Sequence, residues 1–102
     1  KTDGAVKIFD RLAVHYKERC VYYEERPLSL TKTEFGIVEI LSLSAGQVFT
    51  KEQLYERVRG LEGSADSSIV TEHIRRIRSK LGRYTAHPYI ETVWGVGYRW
   101  IG

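Results

Sequence analysis

The stretch Val70-Thr-Glu-His-Ile-Arg-Arg-Ile-Arg-Ser-Lys-Leu81 decides how the chain is read. Val70, Ile74, Ile77 and Leu81 recur at i, i+4, i+7 and i+11, and at 100° per residue they fall within about 60° of one another. They form one stripe to be buried. The spacing predicts a helix from about Ser68 to Leu81, stopped by Gly82. The opposite face carries Ser68, Glu72, Arg75, Arg76 and Ser79, with Ile69 and Thr71 toward its edges. Arg78, Lys80 and Arg83 extend the positive charge. From Glu72 to Arg83 five basic residues stand against one acidic residue, a balance of +4; the whole chain is +3, so the rest sums to −1. The basic character is local.

A helix that enters a major groove needs an apolar side to hold it to its domain. Its outer side must offer arginine to guanine edges and short hydroxyls to bases or phosphates. Glu72 can accept from a cytosine amino group or orient an arginine. Ile69 can meet a thymine methyl. His73 lies near the boundary of the two faces, where it either reaches a phosphate or packs. Taken alone, the same pattern also describes a solvated helix with ion pairs. The neighbouring segments therefore carry weight.

Two capping boxes precede this helix. Thr31-Lys-Thr-Glu34 opens a helix with Phe35, Ile37, Val38, Ile40 and Leu41 as its apolar residues, stopped by Gly46. Thr50-Lys-Glu-Gln53 opens a shorter one with Leu54, Tyr55 and Val58. Residues 59–67 contain Gly60, Gly63 and Ser64 and read as a loop. Before the helices, Val6, Ile8 and Phe9, then Leu12, Val14 and Tyr16, then Val21, Tyr22 and Tyr23 read as short antiparallel strands, with Pro27-Leu28-Ser29 as a final edge piece. After them, two β-rich runs flank Gly95-Val-Gly97, a β-hairpin. The order is strands, three helices, hairpin. This predicts an α+β winged helix-turn-helix: an antiparallel sheet, a three-helix core and a C-terminal hairpin wing.

Four motifs in this order resemble one family. They are Thr31-Lys-Thr-Glu-Phe35, Thr50-Lys-Glu-Gln-Leu54, the helix quoted above, and Ile90-Glu-Thr-Val-Trp-Gly-Val-Gly-Tyr98. The chain resembles the C-terminal effector domain of OmpR/PhoB-type response regulators of bacterial two-component systems. The resemblance implies an N-terminal four-stranded sheet and cytoplasmic, sequence-specific binding of double-stranded DNA for transcription control. It places Ser68, Ile69, Glu72, His73 and Arg76 toward bases. It places Thr31, Thr50, Arg75, Arg78 and Lys80 toward the DNA backbone, and helix N-termini offer free amides there. Trp94, Gly95, Gly97, Tyr98 and Arg99 form the wing. The loop residues Arg59, Gly60, Leu61, Glu62 and Gly63 match the region that touches RNA polymerase. Family members are monomers when isolated and pair head-to-tail on DNA, and they carry a receiver domain, absent here. Two positions depart from the pattern. Trp94 stands where some members place a minor-groove arginine, and Glu72 stands where a small apolar residue is common, which alters base preference.

The remaining features narrow the choice. The 102 residues, 42% hydrophobic and 28% charged, suit one domain spanning 1–102, with residues 1–4 as a linker remnant. One cysteine, Cys20, permits no internal disulfide and suits a reducing compartment. No apolar run is long enough to span a membrane. His15, His73, His87 and Cys20 match no zinc spacing. Gly95-Val-Gly97 leads into a strand rather than a helix, unlike a phosphate loop. Glu24-Glu25 reads as a solvated strand end. Tyr22, Tyr23, Trp94, Tyr98 and Trp100 either form a stacking platform for single strands or fill the core. The expectation is no enzyme, no metal, no cofactor, no small-molecule substrate and no membrane contact.

Overall fold

A computed structural model of the chain describes residues 5–58, 60, 61, 63 and 66–102. Strands β1 (Val6–Phe9), β2 (Leu12–His15), β3 (Cys20–Tyr23) and β4 (Arg26–Pro27) form an antiparallel sheet in sequence order. Period-2 alternation sets its faces. In the register of β2 with β3, Leu12 faces Tyr23 and Val14 faces Val21, and all four are buried. Ala13 and Tyr22 pair on the outer side. Tyr16, read as the end of the second run, lies beyond β2, and its hydroxyl meets buried Ser42 at 2.7 Å.

The edge strand is Arg26–Pro27 rather than Pro27-Leu28-Ser29. Leu28 belongs to the core instead. Glu24 and Glu25 are not a strand end. They are the two central residues of the β3–β4 turn, at φ 49° and 70°. Such a two-residue turn needs positive φ at both positions to match strand twist. Arg11 pairs with Glu24 at 3.1 Å across the neighbouring turn.

Both capping boxes form. Thr31 caps α1 (Lys32–Leu43) and Thr50 caps α2 (Lys51–Arg57), each with reciprocal bonds to Glu34 and Gln53. Helix α3 spans Ile69–Leu81. Phe35, Ile37, Val38 and Leu41 of α1, Leu54 of α2 and the α3 stripe meet the inner face of the sheet in one core.

The C-terminal hairpin, β6 (Ile90–Val93) and β7 (Gly97–Trp100), is part of a three-stranded sheet. Its third member is β5 (Val48–Phe49), between α1 and α2, paired to β7 through Val48–Arg99 and Phe49–Tyr98. No sequence signal marks this strand. Gly95 takes φ +80° in the turn. Gly97 is needed for a different reason, because a Cβ there would sit 2.0 Å from the Phe49 carbonyl oxygen. Only glycine lets β7 approach β5 so closely. The fold is a winged helix. Among the described residues no helix is long and apolar enough to cross a membrane.

Candidate nucleic-acid interface

Ser68 stands at the N-cap of α3, but it makes no side-chain capping bond and its own backbone is helical. Asp66 does the organising. Its carboxylate accepts the Ser68 amide at 2.9 Å and also the Ser68 hydroxyl. Those donors hold the Asp66 carboxyl below its usual range. The Val70 and Thr71 amides close tight i→i+3 bonds to Ser67 and Ser68. At the far end Arg78 and Lys80 lie in the last turn, where cations suit the helix dipole.

Val70, Ile74, Ile77 and Leu81 are all buried, as their spacing predicts. The two flanks of the helix are tied to different elements. Toward the wing, Arg78 donates to the Ile90 carbonyl at 3.0 Å and to the Thr92 hydroxyl at 2.8 Å, with its guanidinium over the Tyr98 ring. Thr71 and Tyr98 share a hydroxyl–hydroxyl bond of 3.2 Å. Toward α1, Lys80 donates to Glu34 at 2.6 Å and to the Ser29 carbonyl at 2.7 Å. Burial opposes ionisation of Glu34, yet Lys80 and the Thr31 amide outweigh it and hold its carboxyl below the usual value. His73 Nδ1 lies 3.0 Å from the Ile69 carbonyl.

Two cations that the sequence reading sends to the DNA backbone, Arg78 and Lys80, thus have partners within the domain. Helical angle alone shows which way a side chain leaves the helix, not what stands opposite. Thr92, inside the hairpin motif but given no role there, receives Arg78, and Asp66, outside every motif, holds the start of the helix.

The outer face carries Ser68, Glu72, Arg75, Arg76 and Ser79. Arg75 grips both Glu72 oxygens, at 2.6 and 3.2 Å, and Arg76 Nε donates to the same carboxylate at 3.1 Å. The Arg75 bonds, aided by Arg76, pull the Glu72 carboxyl down to about 2. It is ionised at neutral pH. The Arg75 and Arg76 side chains remain 66% and 49% exposed, so both can meet a ligand.

In the wing, Trp94 is 88% exposed at the hairpin tip rather than packed against the sheet. Arg99 is paired with Glu91 across the hairpin. A groove lined by Lys51, Thr71, Trp94 and Tyr98 separates the tip from the starts of α2 and α3. Tyr23 and Trp100 are buried in the core, so the aromatics form no continuous platform. Thr31 and Thr50 present the capped starts of α1 and α2. Of the loop residues expected to touch polymerase, Leu61 is fully buried and anchors the loop. Gly60 and Gly63 are exposed at positive φ. Arg59 and Glu62 lie outside the described residues, as does the expected linker remnant at 1–4. No cluster of metal-ligating side chains occurs among the described residues.

Comparison with known proteins agrees with this architecture. The family described as "Transcriptional regulatory protein, C terminal" matches residues 25–100. The transcriptional regulatory protein SpaR of Bacillus subtilis is 43% identical over 94 residues, which cover 92% of this chain and 42% of that protein. The chain thus spans about two fifths of the length of the curated relatives it matches. The response regulator DrrB, a Thermotoga maritima OmpR/PhoB homologue, superposes with a TM-score of 0.84 at 31% identity, covering 96% of this chain and 45% of that one. The DNA-binding domain of the response regulator AdeR, solved with an intercistronic region, gives a TM-score of 0.83 at 26% identity, covering 94% and 99%.

Proposed function

The chain belongs to the family of C-terminal domains of transcriptional regulatory proteins, and from that membership we propose that it binds double-stranded DNA sequence-specifically as the output domain of a bacterial two-component response regulator. Helix α3 lies in the major groove. The observation that carries this reading is the division of α3: a buried stripe, two flanks tied to α1 and the wing, and an outer face with two exposed arginines. A helix held on three sides is a rigid reading head. Ser68, Ile69, Glu72, His73 and Arg76 face bases. Arg75 and the capped starts of α1 and α2 at Thr31 and Thr50 face phosphates. Trp94 at the wing tip meets sugar and phosphate rather than acting as a cation. The same proposal has the domain act in the cytoplasm, pair head-to-tail on direct repeats, and present the loop around Gly60 and Gly63 to RNA polymerase.

Fluorescence anisotropy with random-sequence duplex at two salt concentrations tests the reading. The expected result is binding that weakens steeply with salt, since each neutralised phosphate releases counterions. Absence of salt-sensitive binding at low ionic strength defeats it and favours a winged helix that docks on protein.

A further inference from the structure

We infer that Glu72 is a specificity-determining residue: by holding Arg75 and Arg76 side by side and offsetting their charge, it weakens their pull on phosphate and so weakens binding to DNA of arbitrary sequence. This rests on the DNA-binding reading above.

A carboxylate on a face that meets a polyanion is unfavourable unless it has a use. Here it stands three residues before one arginine and four before the other, the spacings at which helix side chains touch. Arg75 meets both of its oxygens, and Arg76 shares one of them. Exposed ion pairs of this kind contribute little to folding, and all three side chains are more than a third exposed. The trio is therefore poorly explained as a stabilising device.

Its effect on a ligand is larger. Together the three groups carry +1, where two free arginines would carry +2. A backbone phosphate approaching either arginine must share it with a carboxylate that already holds Nε and Nη2 of Arg75 and Nε of Arg76, and that repels it. A matching base step need not. Guanine offers acceptors to Arg76, and a cytosine amino group offers a donor to Glu72, so both charges find partners at once. Elsewhere Glu72 faces acceptors and phosphates and repels them. The cost falls on the wrong sequences, which is how discrimination is built by repulsion.

The test is a salt series of random-duplex anisotropy titrations on the wild-type chain and on Glu72→Gln. Glu25→Gln, in an exposed turn of the N-terminal sheet, serves as a control of equal charge. Releasing one or two arginines should tighten Glu72→Gln binding roughly tenfold at low salt and steepen the slope of log affinity against log salt by about 0.9–1.8. Glu25→Gln should change neither appreciably. Replacing Arg75 and Arg76 by Gln in the Glu72→Gln background should abolish the gain. If wild type binds but Glu72→Gln keeps its affinity and slope, or Glu25→Gln gains as much, the role of Glu72 is overturned while the DNA-binding reading stands. If no variant binds at low salt, both fall.

Discussion

Arg76 and Lys80 stand one helical turn apart on α3 with the same charge and opposite circumstances. Lys80 is 26% exposed and grips Glu34, itself 1% exposed, on a different helix. Arg76 is 49% exposed and leans on Glu72 of its own helix. One cation holds the reading head in place, and the other is presented by it. A helical projection counts both as available to DNA. Of the five basic residues between Glu72 and Arg83, two are engaged in joining α3 to α1 and to the wing. Local charge thus overstates the charge that reaches phosphate.

The comparison breaks most visibly at Lys80. Lys80→Met leaves the Glu34 carboxylate buried without its partner, and should cost about 2–4 kcal/mol, somewhat under a fully buried pair because Lys80 is partly wet. Urea denaturation measures this. In the folded variant the salt slope of DNA binding should stay as it was. A slope lower by about 0.9 would mean that Lys80 does neutralise a phosphate, and the distinction from Arg76 would collapse.

Arg76→Ala should do the converse. Stability should hold within about 0.5 kcal/mol, as for other surface changes, while discrimination at one base pair falls by roughly 1–3 kcal/mol. Competition between single-base variants of a selected site measures that loss. Equal weakening on every sequence would move Arg76 to the phosphates.

The smallest effect sharpens the comparison through pH. The folded Glu34 carboxyl lies below its ordinary value of about 4.5. The folded state then binds fewer protons than the unfolded state, so this contribution is complete above the ordinary value and is lost as pH falls through the depressed one. In Lys80→Met, burial, already the largest single influence on Glu34, loses its main opponent and should lift the carboxyl above the ordinary value. Its contribution then changes sign, and stability gains as pH falls through the raised value. Denaturation midpoints at a series of acidic pH values should diverge in this way, and parallel curves would show that Lys80 does not set the state of Glu34.

What the sequence displayed was what is local. Thr31 with Glu34 and Thr50 with Gln53 announce two helix starts because donor and acceptor lie three residues apart. The buried stripe of α3 follows from periodicity in one segment. Strand β5 was not legible, because two residues become a strand only when β7 lies beside them. Glu24-Glu25 hid a turn, since glutamate is an unusual occupant of the left-handed region and Asn-Gly is the usual signal. At the site, the outward residues of α3 could be named from their angles. The partners of Arg78 and Lys80 could not, because Thr92 and Glu34 are 14 and 46 residues away. Trp94 is the reverse case: its type suggests packing, and its place at the tip of a turn prevents it.

The close approach at Gly97 has a consequence for anyone who would exchange recognition elements between relatives. Strand β5 runs directly into the cap of α2, and β7 is pressed against it. The wing and the helix-turn-helix are therefore one casting rather than two modules. A reading helix transplanted from another protein would arrive without the residues that match Thr92, Tyr98 and Glu34, and would sit at its own angle. Successful grafts should be confined to Glu72, Arg75, Arg76 and Ser79, the outward positions whose side chains tie the helix neither to α1, nor to the wing, nor to Asp66.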